Sequence, residues 1–339
     1  MSVVKVIGLD IAKHVFQLHG ADAKGKAVLK KRLRREQLTD FFGSISRCTV
    51  AMEATRGAHY WARVIATFGH EVKLISPQFV KPYVRGQKND MQDAAAICEA
   101  ASRPEMRFVP QKSIAQQDMQ MLHRIRSRLI ANRTQVGNQI RGLLAEYGII
   151  VPLHLSHLRK HVYALTAEPH PLLTAFAQEL FAGLYEELCQ LDDRIRAMEA
   201  RIQEAFRADE ACQRIARIEG IGPVIATAIV AAIADGKAFR NGRQLSAWLG
   251  LVPRQHSSGD KRRLLGISKR GDPYLRMLLI HGARAVVYRS VNKMDARNRW
   301  IADKQKKLGT TKACVAVANK NARIIWALLA NEEQYRRAA

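Results

Sequence analysis

The sequence predicts an α/β sheet domain at the N-terminus, then long helices, then a mostly helical C-terminal domain. Three observations predict it. Short β-branched runs alternate with helical patterns between Val3 and Ala101. Apolar residues from Leu184 to Ala205 step by alternating fours and threes, the spacing of an a/d seam. From Ala211 onward the texture is helical again and rich in Lys and Arg. The expected boundaries are 1–112, 113–210 and 211–339.

Val3–Leu9 is apolar and β-branched and reads as a buried strand that delivers Asp10 at its end. His14–Gly20 alternates and reads as a second strand. Asp22 to Gly25 is turn chemistry, and Ala27–Leu33 returns as a third strand. Glu36–Ile45 has helical spacing. Cys48–Met52 is a strand ending at Glu53, Gly57–Phe68 a helix, Glu71–Ile75 a fifth strand, and Asp90–Ala101 an Ala-rich helix. A three-strand meander followed by alternating helices and strands implies a mixed sheet with helices on its faces. Ser113–Ala145 is one long helix. The seam at Leu184, Leu188, Leu191, Ile195, Met198, Ile202 and Ala205 fits an antiparallel hairpin, an intermolecular coiled coil or a plain amphipathic helix. Ile215 to Gly222 places two glycines ahead of Pro223 and an apolar helix. That is either a phosphate cradle of helix-hairpin-helix type or a tight turn between packed helices. Leu249 to Gly259 reads as a loop, and Tyr274–Tyr288 and Lys312–Leu329 as helices.

The chain has 339 residues, 47% of them hydrophobic, enough for a sizeable core. Lys and Arg number 55 against 30 Asp and Glu, a net charge of +25. With a pI near 10.3 this is the electrostatic signature of a nucleic-acid partner. The five cysteines are scattered without a C-x-x-C pair, which argues against a zinc site or a disulfide frame. The start lacks the pattern of a signal peptide. The apolar stretch Val224–Ala234 is too short to span a bilayer. The expectation is a cytoplasmic, nucleoid-associated protein with no membrane partner.

Asp10, Glu53, Asp90 and Asp93 stand out against this basic background. Asp90 and Asp93 are three apart and share one helix face. Asp10 and Glu53 end strands expected to be neighbours. Carboxylates held close repel, so a fold keeps them mainly when a cation offsets the repulsion. Hard oxygen donors favour Mg²⁺ or Mn²⁺, which would clamp the oxygens of an in-line displacement at phosphorus. Taken singly, each acid is equally a helix cap or an ion-pair partner.

Ser257 and Ser258 precede Gly259 in a loop flanked by Arg254, Lys261, Arg262, Arg263, Lys269 and Arg270. A serine there is either a turn residue or a nucleophile beside guanidinium groups able to stabilise charge on phosphorus. The basic residues are candidate nucleic-acid contacts. His256 is adjacent, but adjacency does not assign it as a base.

Gly8-Leu9-Asp10-Ile11-Ala12-Lys13, Met52-Glu53-Ala54-Thr55-Arg56-Gly57 and Asn89-Asp90-Met91-Gln92-Asp93-Ala94 resemble the three DEDD motifs of the IS110 family of insertion-sequence transposases. Leu249 to Gly259, with Ile218 to Gly222 and Ile267 to Gly271, resembles that family's C-terminal domain, in wording closer to the IS1111 subgroup. The resemblance implies a RuvC-like fold of RNase-H type carrying four Mg²⁺-binding acids, Asp10, Glu53, Asp90 and Asp93. It further implies a DNA recombinase that moves its own element, a structured guide RNA, and a homo-oligomer, dimer or tetramer. In such an oligomer the acids of one subunit would meet the serine of another. It carries the nucleophile over to Ser258, which would form a phosphoserine link with DNA. Two other readings compete. One is a metal-dependent junction-resolving nuclease with water as nucleophile; the other is a nucleic-acid scaffold without catalysis.

Overall fold

The computed structural model describes residues 3–84, 89–258, 261, 263–291 and 293–336. The chain forms two compact units, Met1–Ser113 and Ile114–Ala339. In the first, β1 (Val6–Ile11), β2 (Val15–Ala21) and β3 (Ala27–Arg34) form an antiparallel meander. Asp22 Oδ1 accepts the Lys24 and Lys26 amides, and Gly25 takes φ 79° at the turn between β2 and β3. Then follow α1 (Gln37–Ser44), β4 (Thr49–Glu53), α2 (Ala58–Thr67) and β5 (Glu71–Ile75). Short α3 (Pro77–Val80) and a 3-10 turn at Lys81–Tyr83 lead toward α4 (Asp90–Ala101) and β6 (Phe108–Val109). The six strands lie in the order β3-β2-β1-β4-β5-β6, with β1, β4 and β5 parallel and β6 antiparallel to β5. The mixed sheet with helices on its faces is as the strand and helix order predicts.

The first strand differs from expectation at both ends. It begins at Val6 and runs through Asp10 to Ile11, because Asp10 and Ile11 pair with Gln17 and Phe16 of β2. Asp10 is therefore held within the ladder rather than placed just beyond it. The two-residue β6 carries no periodicity to read.

Alternation gives the sheet two apolar faces. Ile7, Leu9, Phe16 and Leu18 pack with Phe42, Trp61 and Ile65 of α1 and α2. Ala51, Ile75 and the partly buried Val6 pack on the opposite face with Ala96, Ile97 and Ala100 of α4.

The second unit is helical: α5 (Ile114–Glu146), α6 (Leu155–Ala167), α7 (Ala175–Ala208), α8 (Glu210–Ala216), α9 (Pro223–Ile233) and α10 (Gly242–Trp248). A hairpin of β7 (Pro253–Gln255) and β8 (Leu264–Ile267) follows, then α11 (Pro273–Arg289), α12 (Ala296–Leu308) and α13 (Thr310–Ala330). The seam residues Leu188, Leu191 and Ile195 of α7 are buried with Leu129, Val136 and Ile140 of α5. Arg126 pairs with Glu199, and Arg133 with Asp192 at 2.9 Å, so α5 and α7 run antiparallel within one chain. The glycines between α8 and α9 have separate roles. Gly220, at φ 86°, lies against the Gly282 backbone of α11, where a Cβ would come within 2.7 Å of the Gly282 carbonyl. Gly222 is exposed at the start of α9. By length and composition α13 is apolar enough to cross a bilayer, but half of that window is buried within the unit.

Buried His123 of α5 tethers two more helices. Its Nε2 lies 3.0 Å from Thr227 Oγ1 on α9, and its Nδ1 3.0 Å from the Tyr274 hydroxyl on α11. Thr227 donates to the Pro223 carbonyl at 2.8 Å, so it accepts from Nε2–H, and Tyr274 donates to Nδ1. Burial, aided by the charge of Arg126, lowers the His123 pKa from 6.5 to about 4. The unfolded chain therefore binds the proton first as pH falls. Stability is complete above pH 6.5 and declines as pH drops toward 4, by at most about 3 kcal/mol from this residue. Urea melts at pH 7 and pH 5 should show a smaller stability loss in His123→Gln than in the parent chain. Equal losses would remove His123 as the cause.

Candidate active site

The acidic site is set by strand alternation. On β1, Val6, Gly8 and Asp10 point to the α4 face; on β4, Ala51 and Glu53 do the same. Leu9 pairs with Met52 in parallel register, so Asp10 and Glu53 follow side by side where the two strands end. α4 runs across this face, and Gly8 lets it come close. A Cβ at Gly8 would stand 2.1 Å from the Ala94 carbonyl and 2.5 Å from the Cys98 amide. The Asn89 side chain accepts the Met91 amide at 3.0 Å and fixes where α4 begins. Asp90 and Asp93 then occupy its first turn, where the helix dipole favours negative charge.

Carboxylate oxygens of Asp10, Asp90 and Asp93 all lie within 4.8 Å of one another. Asp10 and Asp93 are half-buried and Asp90 is exposed. Glu53 stands outside this group of three but is coupled to it. Burial pushes its carboxyl above the usual range, and the charges of Asp10 and Asp93 push it further. Three hard oxygen donors from two elements, with a fourth carboxylate alongside, fit a hard divalent cation such as Mg²⁺ or Mn²⁺. Sequence reasoning names these acids but passes over Gly8 and Asn89. The visible signal was a lone glycine two residues before an acid on a strand, and an Asn directly before an acidic helix turn.

The serine segment is a hairpin rather than the loop expected from its sequence. Its base is fixed by two glycines. A Cβ at Gly250 would meet the Arg270 carbonyl at 2.2 Å, and one at Gly271 the Trp248 carbonyl at 1.9 Å. Lys269 donates its amide to Gly250 O, Ser268 donates to Val252 O, and the Arg276 guanidinium donates to Leu249 O and Arg270 O. Leu-Gly-Leu-Val-Pro and Ser-Lys-Arg-Gly are thus two halves of one clasp. At the tip, Ser257 Oγ accepts from Gln255 Nε2 at 3.1 Å and from the Arg263 amide at 3.3 Å. Ser258 is exposed, and among the described residues nothing hydrogen-bonds its hydroxyl. Arg254, Lys261, Arg263, Lys269 and Arg270 are exposed around this hairpin. Arg262 and Gly259 lie outside the described residues.

Comparison with known proteins places the whole chain. The family described as "Transposase IS116/IS110/IS902 family" matches residues 212–299, and a transposase family of DEDD type from IS110 matches residues 7–149. The chain is 52% identical to a probable family 20 transposase of Pseudomonas aeruginosa, over 97% of this chain and 98% of the relative. It is 46% identical to the transposase for insertion sequence element IS1111A of Coxiella burnetii, over 99% of this chain and 92% of the relative. The transposase for IS1328 of Yersinia enterocolitica is 40% identical, over 96% of this chain and 97% of the relative. The chain belongs to the IS116/IS110/IS902 family of transposases, enzymes that act on DNA.

Proposed function

We propose that the protein cuts and rejoins DNA through a phosphoserine link at Ser258, with Asp10, Glu53, Asp90 and Asp93 as the metal-binding acids. The convergence of three carboxylates within 4.8 Å carries the reading. A divalent ion bound there supplies charge stabilisation to an in-line displacement at phosphorus. The rest of the chemistry falls to the chain. Ser258 Oγ forms a bond to phosphorus, and the bond from phosphorus to a deoxyribose oxygen breaks. The serine's proton is lost and the released oxygen gains one. Attack by another strand's hydroxyl reverses the step, frees the serine and conserves the phosphodiester bond. The Ser258 hydroxyl, without a hydrogen-bond partner among the described residues, supports this choice over Ser257, whose oxygen already accepts two hydrogen bonds.

The exposed cations of the hairpin, Arg254, Lys261, Arg263, Lys269 and Arg270, bind phosphate in this reading, with Arg262 of the same run. A net charge of +25 suits two polyanions at once, the DNA and a structured guide RNA whose base pairing chooses the target. The working form is a homo-oligomer, dimer or tetramer, in which the serine of one subunit meets the acids of another, at cytoplasmic DNA.

The test is covalent trapping. End-labelled DNA carrying the element's ends is incubated with protein, RNA from cells bearing the element, and Mg²⁺, then denatured. Label should remain on the protein, and peptide mapping should find it on Ser258. Strand cleavage with no label retained would replace this mechanism with attack by water.

A further inference from the structure

The second unit has another concave surface, and none of the residues discussed so far as catalytic or phosphate-binding lines it. A cleft of about 1510 Å³ lies along α10, α12, α13 and the segment after α13. Small-ligand pockets fill roughly 300–1,000 Å³, so this one suits an extended ligand. Arg243, Arg297, Lys312, Lys320, Arg323 and Arg336 line it, against one carboxylate among the described residues, Glu333. No carboxylate among the described residues pairs with Arg243, Lys312, Lys320 or Arg323. Arg297, only 8% exposed, is built in: it donates to the Tyr335 hydroxyl at 3.0 Å and to Asn321 Oδ1 at 2.7 Å.

The lining is also aromatic. The Lys320 ammonium sits 4.2 Å from the centre of the Trp300 ring. Trp326 is held by its Nε1–H, which donates to the Phe239 carbonyl at 2.9 Å. Both indoles are half-buried. Burial, with the charges of Arg297 and Arg323, lowers the Lys320 pKa, and Arg297 itself has Glu219 Oε2 3.9 Å from its Nε. Leu251, Pro253 and Ile267 carry the lining to the base of the β7–β8 hairpin, whose tip holds Ser258.

Cations alone would fit duplex DNA, whose outer surface is phosphate. Indoles and aliphatic walls would then be left facing a charged backbone. Unpaired bases have faces that bury against such walls, and phosphates that reach the cations. Deoxyribose presents carbon where ribose carries a hydroxyl, which suits Val315, Ala316 and Ile324 in the wall.

We propose that this cleft holds an unpaired DNA strand, with phosphates on Lys312, Lys320 and Arg323 and bases against Trp300, and leads it to the serine hairpin. The strand's destination rests on Ser258 as nucleophile; its binding does not. The test measures fluorescence anisotropy of the full chain with a single-stranded DNA oligonucleotide of mixed sequence, its RNA counterpart and its duplex. Lys312→Glu with Arg323→Glu changes two exposed side chains. It should weaken single-strand binding about tenfold or more and reduce the slope of log affinity against log salt by about 1.4. The single strand should quench tryptophan fluorescence, and Trp300→Leu, with its fold at the assay temperature checked by circular dichroism, should lose most of that quench. Unchanged affinity and quenching in the variants would overturn the proposal, as would tighter binding of RNA than DNA or equal competition by duplex. If the parent chain binds the strand through the cleft yet forms no serine adduct, the nucleophile assignment falls and the cleft assignment stands.

Discussion

Asp10→Asn lowers Mg²⁺-dependent DNA strand cleavage by on the order of 10³-fold and leaves DNA affinity nearly unchanged. Asn keeps the size and one oxygen of Asp but removes the charge. Asp10 is the member of the group that comes from the sheet; Asp90 and Asp93 come from one helix turn. Losing it leaves two donors on a single element, with Glu53 beside them. The raised Glu53 pKa adds a second readout. One of the two charges opposing Glu53 disappears, so its carboxyl should titrate lower in the variant. Carboxyl chemical shifts followed with pH would show this, and cleavage assays would show the activity loss. Full activity in Asp10→Asn would sink the metal-site reading.

Gly8→Ala is the second large effect, and it acts through packing. The added methyl would stand 2.1 Å from the Ala94 carbonyl, which is backbone and cannot rotate away. Either α4 lifts from the sheet or β1 bends. We expect a loss of about 3 kcal/mol, at the upper end for overpacking. Because α4 carries Asp90 and Asp93, the same shift opens the carboxylate group, so cation affinity should fall together with stability. Gly43→Ala is the control: it lies in α1, and its new methyl would find only the Phe68 ring, at 3.5 Å. That substitution should be neutral or stabilise by up to about 1 kcal/mol. Urea melts and Tb³⁺ luminescence titrations would separate the two. A Gly8→Ala chain with the parent's melt and titration would show that α4 does not depend on that close approach.

What the sequence made legible follows the strength of local patterns. β5 and α4 have the bounds that their runs predict, Glu71–Ile75 and Asp90–Ala101, because alternation and an Ala-rich stretch are local signals. The β7–β8 hairpin was not legible. It opens with Pro253, its β7 residues are all exposed, and only a few residues pair. Nothing apolar alternates there, because the hairpin is held by backbone bonds and by the Gly250 and Gly271 contacts rather than by buried side chains. α12 was passed over for the related reason that its sequence, ARNRWIADKQKKL, is largely charged. For the acids, the sequence names all four, while only the fold places Asp10, Asp90 and Asp93 within 4.8 Å and sets Glu53 apart. That difference arises from how near one helix comes to one strand, a distance set by Gly8, remote in sequence from Asp90 and part of no periodic pattern a reader would score.

The Ser258 hydroxyl, exposed at a hairpin tip with no partner among the described residues, has a consequence for the cell that carries this gene. A protease of the triad kind keeps its serine aligned and primed at all times. Here the alcohol is left idle, with the chemistry of an ordinary surface residue. On the proposed mechanism, such a serine would not nick the chromosome while it waits. On that mechanism, its danger to the host would be confined to the moment when nucleic acid and subunits assemble around it.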